Sequence, residues 1–110
     1  MHDVDKLGIG KIMEETLSYL GDRNLHLSFD IDSVDPFFAP HTGTAVRGGL
    51  NFREANYICE ELWASTRLSS MELVEINPTI NVRLHKRQVV LLSLSNLCTY
   101  STSHIFFAHT

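Results

Sequence analysis

The feature that most constrains this chain is an apolar run that ends in three carboxylates, within residues 25–36 (LHLSFDIDSVDP). The residues before Asp30 are typical of a buried strand, and the residues after the run form a loop that contains Gly and Pro. Side chains two positions apart on a strand share a face, so Asp30 and Asp32 are expected to point to one spot while Ile31 packs on the other side. The carboxyl end of a strand is also where open α/β sheets usually carry their chemistry.

Two carboxylates held this close repel each other unless a cation or a proton lies between them. A divalent metal that prefers oxygen ligands would satisfy both of them. An EF-hand calcium loop is excluded, because Ile31 and Val34 interrupt the polar alternation and neither the required Gly nor the required Glu is in place. The alternative is that Asp32 and Asp35 only cap turns after the strand, as Asp often does. Spacing alone does not separate the two interpretations.

Helix and strand patterns alternate along the chain. Apolar residues at helical spacing predict an amphipathic helix between Val4 and Leu20, with Gly8 and Gly10 leaving its start open. The first strand is predicted at residues 25–31. A loop follows at residues 33–50, and it is too long to be a simple connector, which favours a functional role.

Two further elements follow this loop. Asn51, with Glu54 three residues later, resembles a capping box and predicts the start of a second helix. Residues 68–76 predict a second strand that ends before Pro78. Strand, helix and strand at this spacing form a βαβ unit, whose two strands are parallel. Because their carboxyl ends then meet at the same edge of the sheet, Glu75 is expected to face the site that Asp30 and Asp32 begin.

The composition indicates one small globular domain or a piece of a larger one, at 110 residues and 44% hydrophobic content. A net charge of -4 gives no general attraction for nucleic acid or for an anionic membrane. All 13 acidic residues lie between Asp3 and Glu75, so the composition changes near Pro78. We therefore expect a division into residues 1–78 and a divergent tail, residues 79–110.

The cysteines and the apolar runs indicate where such a chain would work. Cys59 and Cys98 lack the close spacing of a zinc site, and no signal peptide is evident, which favours a reduced intracellular compartment, cytoplasmic or mitochondrial. The longest apolar stretch, residues 89–97, is far shorter than a membrane span.

Several motifs together resemble the signature of the arginase (ureohydrolase) family. They are SFDIDSVDP at 28–36, AP at 39–40, TGT at 42–44, GGL at 48–50 and VEINP at 74–78. Residues 4–11 (VDKLGIGK) and the helix after them resemble arginase proper more than the agmatinases. The resemblance covers about residues 3–78, and it implies the C-terminal part of a three-layer α/β/α catalytic domain with a parallel sheet.

The resemblance also implies a chemistry and a role for each matching residue. Asp30 matches the carboxylate that bridges two manganese ions, and Asp32 matches one that binds a single ion of the pair. Glu75 matches the acid that holds the substrate guanidinium, which a carboxylate can bind through two hydrogen bonds. Thr44 matches a threonine that lines the substrate pocket. The implied enzyme is a hydrolase of linear amidines, and it converts arginine to ornithine and urea with manganese as cofactor.

Other polar residues carry weaker expectations. Asp35 either orients the loop or a ligand, or it caps a turn. Arg53 and Glu54 match positions that help form trimer contacts in the family, although a capped surface helix explains them equally well. His41 replaces a residue that is usually small beside the pocket, and we expect it to be a solvated loop residue, with lining of the site as the alternative. The remaining histidines form no ligand-spaced pair and are expected at the surface or in packing; they are His2, His26, His85, His104 and His109.

The resemblance leaves part of the family site without a match in this chain. The family completes its metal cluster with a histidine from one upstream strand and an Asp-Ala-His group from another, and it adds a catalytic histidine. None of these has a counterpart here, so we assign no catalytic residue and expect no appreciable arginase activity from the chain as it stands.

Two other functions stay open at the level of sequence. One is a related ureohydrolase that acts on agmatine or another guanidino compound. The other is a non-catalytic, truncated isoform that associates with full-length subunits, or that does not fold. A half-sheet is expected to expose an unpaired edge and an uncovered apolar face, which favours aggregation or partner binding.

Overall fold

The structure, a computed structural model, describes residues 1–77 and the backbone of residues 105–109. Its helices and strands are, in chain order, α1 (His2–Leu7), α2 (Ile9–Leu20), β1 (Leu25–Asp30), α3 (Phe52–Ala64), β2 (Leu68–Ile76) and β3 (Ile105–His109). A 3-10 turn, Ile31–Ser33, follows β1 directly. The predicted alternation of helix and strand is therefore confirmed through residue 76.

The N-terminal helical pattern is divided at Gly8. This glycine has φ 78° and ψ 154°, which ends α1, and α2 begins at the next residue. Glycine adopts a positive φ without the steric cost that a Cβ imposes. The single helix predicted between Val4 and Leu20 is therefore two helices, and the break lies at one of the two glycines that left its start open.

The start of α3 shows the predicted capping box. The Asn51 side-chain oxygen accepts a hydrogen bond from the Glu54 amide at 2.9 Å, and a Glu54 carboxylate oxygen accepts one from the Asn51 amide at 2.8 Å. Two amides that the helix leaves without partners are thus satisfied by each other's side chains. This cap fixes where the long loop ends and the helix begins.

The sheet has β2 at its centre. β1 and β2 are parallel, as predicted, and their register runs from Leu25 opposite Leu68 to Asp30 opposite Val74. β3 pairs with the other edge of β2, also in parallel, in the order β1-β2-β3. The expected tail thus contributes one strand to the sheet at residues 105–109. The rest of the tail, with Cys98, lies outside the described residues.

Apolar side chains on one face of the sheet form the core with the helices. One cluster joins α2 and α3 to the starts of the two strands, through Met13, Leu25, Leu62 and Leu68. A second cluster lies under the strand ends and includes Phe29, Ile31, Val34, Ala55, Cys59 and Leu73. This second cluster anchors the backbone on both sides of Asp30 and Asp32.

The opposite face of the β1–β2 pair is polar. His26 and Ser70 lie opposite each other and their side chains are 2.8 Å apart, from Nδ1 to Oγ. The Ser28 hydroxyl donates to Glu72 at 2.8 Å on the next pair of the same face. The expectation of an uncovered apolar face is therefore wrong for these pairs, because alternate residues on both strands are hydrophilic.

The helices of the described residues are short and amphipathic. None of them has the length and apolar character that crossing a membrane requires.

Candidate functional site

The site begins where β1 ends. Asp30 is the last residue of the strand, and Asp32 lies in the 3-10 turn that follows. The strand predicted to reach residue 31 is therefore one residue shorter. The Asp32 amide donates to Asp30 Oδ1 at 3.0 Å, and the Ser33 hydroxyl donates to the Asp30 carbonyl at 2.7 Å. Ile31 is only 1% exposed and packs in the core, as predicted. The turn, not strand alternation, brings the two acids to one place.

The environment of Asp30 disfavours its negative charge. Partial burial raises the pKa of the Asp30 carboxyl, and the neighbouring Asp32 carboxylate raises it further, while the hydrogen bond from the Asp32 amide acts in the opposite direction. A carboxylate with a raised pKa is stabilised by a proton or by a cation. The strand end is thus suited to bind a positive charge.

Thr44 connects the long loop to this acidic pair. Its hydroxyl donates a hydrogen bond to Oδ2 of Asp32, across twelve positions of the chain. The other carboxylate oxygen of Asp32, Oδ1, is then the one that a ligand could use. Asp30, Asp32 and Thr44 therefore form one hydrogen-bonded group.

Asp35 holds the two ends of the loop together. One of its carboxylate oxygens accepts from the Phe37 amide and the other from the Gly48 amide, each at 2.8 Å. These two bonds lower the pKa of the Asp35 carboxyl, and the Arg47 guanidinium lowers it further. Asp35 therefore caps a turn through Phe37 and orients the loop through Gly48, as the two interpretations from sequence predicted, while the orientation of a ligand stays a prediction.

The same loop is closed by a backbone contact. The Leu50 amide donates to the Ser33 carbonyl at 2.8 Å and the Asp35 amide donates to the Leu50 carbonyl at 2.9 Å. Gly49 lies between these bonds, where an added Cβ would be 2.5 Å from the Ser33 carbonyl oxygen. Only glycine fits at this approach of the two backbones.

The far side of the loop meets the end of β2. The Asn77 amide donates to the His41 carbonyl at 2.9 Å. His41 is half-buried rather than fully solvated, which corrects the expectation of a solvated loop residue. Thr42, beside it, is 3% exposed, and within residues 1–77 its hydroxyl has no hydrogen-bond partner. The loop thus spans from β1 to β2 across the strand ends.

Glu75 lies near this edge in an unusual backbone conformation. It follows Val74, the register partner of Asp30, so it extends one residue beyond the end of β1. Its φ is 62°, the left-handed region that non-glycine residues seldom occupy. Such strain often marks a functional position. Among the described residues, no hydrogen bond or ion pair joins its carboxylate to Asp30, Asp32 or Thr44.

A cleft of about 430 Å³ adjoins Asp32. It is lined by Met1, Asp32, Ser33, Val46, Arg47, Gly48, Gly49 and Leu50. Asp32 therefore belongs both to this cleft and to the hydrogen-bonded group at the strand ends, whereas Asp30, Thr44 and Glu75 are not among the described residues that line the cleft.

Carboxylate oxygens of the kind that Asp30 and Asp32 provide suit manganese and other hard cations. Within residues 1–77, however, no group of three or more His, Cys, Asp or Glu side chains is placed to hold a metal ion. The donor type therefore fits manganese, and the number of donors supplies only part of a site.

The other residues singled out from sequence lie away from this group. Arg53 makes two hydrogen bonds to the Glu60 carboxylate, at 2.9 and 2.8 Å, on the exposed surface of α3. His2 and His26 are exposed. His85 and His104 lie outside the described residues. The sequence analysis did not predict the left-handed conformation of Glu75. It also assigned no role to Gly49, although the pair of adjacent glycines, Gly48 and Gly49, is a signal for a close backbone approach.

Comparison with known proteins identifies the family of the chain. Its sequence matches the arginase family over residues 1–95. It is 55% identical to Arginase-1 of Rattus norvegicus over 83 residues, which cover 73% of this chain and 26% of that protein. The match to the family extends beyond residue 78, while the division expected there from composition stays a prediction.

Solved structures show the same relationship. The arginase of Bacillus caldovelox superimposes with a TM-score of 0.78 and 42% identity over 87% of this chain and 32% of that one. The agmatine ureohydrolase of Thermoplasma volcanium superimposes with a TM-score of 0.73 and 29% identity over 91% of this chain and 32% of that one. The chain thus spans about a quarter to a third of the length of these relatives. With the family match, the sequence identity and the shared α/β architecture in agreement, the chain belongs to the arginase family of hydrolases.

Proposed function

We propose that this chain carries one side of the active site of a manganese-dependent arginase, which hydrolyses arginine to ornithine and urea. The observation that carries the proposal is the hydrogen-bonded group of Asp30, Asp32 and Thr44 at the carboxyl end of β1. Glu75 lies at the end of the neighbouring strand, on the same edge of the sheet. This edge is where parallel sheets place their catalytic groups.

Each residue has a role that its chemistry supports. Asp30 and Asp32 would hold the cations, and the raised pKa of the Asp30 carboxyl indicates that a nearby positive charge would stabilise its ionised form. Manganese, when bound, would supply Lewis acidity toward the substrate. Thr44 orients Asp32 by donating to one of its oxygens. Glu75 would hold the planar guanidinium through two parallel hydrogen bonds.

The 110-residue chain is proposed to be inactive alone. The described residues supply two clustered carboxylates and no third metal-binding side chain beside them. Manganese sites need more protein ligands than this to bind the ion tightly. The remaining ligands and the groups that recognise the amino-acid part of arginine would come from an intact subunit. The parent enzyme is proposed to be intracellular, with a homotrimer as its expected assembly.

An agmatine-specific enzyme is the second candidate, because the chain also matches an agmatine ureohydrolase structure at 29% identity. The higher identities to arginases favour arginine as the substrate. Kinetics with arginine, agmatine and a third guanidino compound would decide between them.

The test uses an intact subunit in which residues 1–77 replace the matching segment of rat Arginase-1, here called the grafted enzyme. We expect it to release urea from arginine with added manganese, and we expect Asp30→Ala and Asp32→Ala each to reduce kcat/KM at least ~100-fold, because metal ligands matter at least as much as their supporting residues. Glu75→Gln should raise KM most. Asp22→Ala, in the exposed turn after α2, is the matched control.

The 110-residue chain is assayed in parallel. Urea release by the chain alone that Asp30→Ala abolishes would overturn the proposal that it is inactive. A grafted enzyme whose activity is unaffected by Asp30→Ala and Asp32→Ala would overturn the proposed metal-binding roles.

A further inference from the structure

The Asp35 side chain binds the loop between β1 and α3 at two points. Its carboxylate accepts a hydrogen bond from the Phe37 amide at the beginning of the loop. It also accepts one from the Gly48 amide, thirteen residues later and near the end of the loop. The Asp35 amide also bonds the Leu50 carbonyl at 2.9 Å. Asp35 therefore contacts both ends of the loop, beside the backbone bonds from Leu50 to Ser33 and from Asn77 to His41.

The loop ends and the site residues lie close along the chain. Asp32 precedes Asp35 by three residues, and Thr44 precedes Gly48 by four. Between these two anchored points, the Thr44 hydroxyl reaches Asp32 Oδ2. Thr44 is exposed, so packing against the core does not hold it in place. Its position over Asp32 therefore depends on how the loop is held on either side, by the buried Thr42 before it and by the bond from Gly48 to Asp35 after it.

We infer that Asp35 is a positioning residue for the site: by binding the amides of Phe37 and Gly48, it holds Thr44 on Asp32 and so fixes the orientation of the Asp32 carboxylate. The inference rests on the proposed function, since it gives Asp35 a supporting role in that same site. Asp35 itself does not bind the substrate or the metal in this arrangement. It acts through the backbone and through Thr44.

The two contacts depend on the chemistry of the Asp35 side chain rather than on packing of the loop. Both bonds use the carboxylate oxygens, one for each amide. The isosteric Asn presents one oxygen and one NH2 group, so it can accept from only one of the two amides. Asp35→Asn thus opens the loop at one end without changing the volume of the side chain.

The first measurement is amide hydrogen exchange on the metal-free 110-residue chain. In Asp35→Asn, at least one of the two amides that Asp35 binds, those of Phe37 and Gly48, should exchange about tenfold faster, which is the effect expected from losing one charge-assisted hydrogen bond. The amides of β1, α3 and β2 should keep their exchange rates. Asp22→Asn removes the same charge from the turn after α2, and it should leave the loop unchanged.

The second measurement is a double-mutant cycle in the grafted enzyme, with Asp35→Asn and Thr44→Val. Each variant should raise the manganese concentration for half-maximal activity about tenfold, with activity recovering at saturating manganese, as for other residues that support a metal ligand. The double variant should be no worse than Thr44→Val alone, because Asp35 acts through Thr44.

The outcomes separate this inference from the proposed function. Unchanged exchange at both Phe37 and Gly48, additive effects in the cycle, or faster exchange spread over β1 and α3 would each overturn the positioning role, the last because Asp35 would then stabilise the fold in general. If Asp32→Ala itself leaves manganese activation unchanged, the proposed function fails instead, whatever Asp35 does.

Discussion

Gly49 and Ser33 approach so closely that a Cβ on Gly49 would lie 2.5 Å from the Ser33 carbonyl oxygen. The same Cβ would lie 2.7 Å from the Asp35 amide nitrogen, so the atoms that it meets are backbone atoms with no freedom to move aside. We expect Gly49→Ala to destabilise the chain by about 1–3 kcal/mol, the usual cost of forcing extra volume into a packed site. Urea denaturation measures the effect.

The same loop offers a matched control. Gly43 has no heavy atom of the described residues within 4 Å of the position that its Cβ would occupy, so Gly43→Ala should change the free energy of unfolding by no more than about 0.5 kcal/mol. Equal destabilisation by both variants would show that the loop tolerates no substitution at all, and that the Gly49–Ser33 contact is not the cause.

A second prediction concerns the backbone of Glu75. Its φ is 62°, a conformation in which a Cβ raises the free energy of the folded chain. Glycine has no Cβ and avoids this cost. Glu75→Gly and Glu75→Ala both remove the carboxylate, but we expect the glycine variant to be the more stable by about 1 kcal/mol. Thermal or urea denaturation of the two variants gives the comparison. An alanine variant at least as stable as the glycine variant would mean that Glu75 is not held in the left-handed region.

Most elements could be predicted from sequence because their signals are local. The bounds of β2 follow from a run of strand-forming residues that ends before Pro78, and the start of α3 follows from the Asn51–Glu54 capping box. The two strands had to be parallel because a helix connects them. Placing Asp30 and Glu75 at one edge of the sheet required no more than this.

The remaining features depend on contacts between distant positions. The bond from Gly48 to Asp35 exists only once the loop has closed, and no pattern within a few residues encodes it. The 3-10 turn at Asp32 and the left-handed Glu75 break the two-residue alternation that strand prediction assumes. The pairing of β3 with β2 was also outside reach, because residues 105–109 carry no signal that names their partner.

A third prediction tests the cap of α3. Asn51→Ala removes the oxygen that accepts from the Glu54 amide at 2.9 Å. We expect a loss of about 1 kcal/mol in the free energy of unfolding, whereas Asn51→Asp, which keeps an acceptor, should cost much less. Asn24→Ala, in the exposed turn before β1, is the control for removing an Asn side chain. If Asn51→Ala and Asn24→Ala behave alike in urea denaturation, the capping box contributes nothing measurable.

The last prediction concerns pH and follows from the environment of Asp35. The amides of Phe37 and Gly48, together with the Arg47 guanidinium, hold the pKa of the Asp35 carboxyl below its usual range. In the unfolded chain this pKa returns to about 3.9. Because the folded value is the lower one, ionised Asp35 contributes stability above the unfolded pKa, and the contribution is lost as the pH falls through the folded pKa.

Asp35→Asn removes this contribution at every pH. The difference in free energy of unfolding between the wild type and Asp35→Asn should therefore be largest above about pH 5 and should shrink as the pH falls below about 4. Urea denaturation at a series of pH values measures it, with Asp22→Asn as the control for losing one negative charge. A difference that stays constant or grows on acidification would show that the ionised carboxylate does not hold the loop, since protonation would then leave its contribution intact.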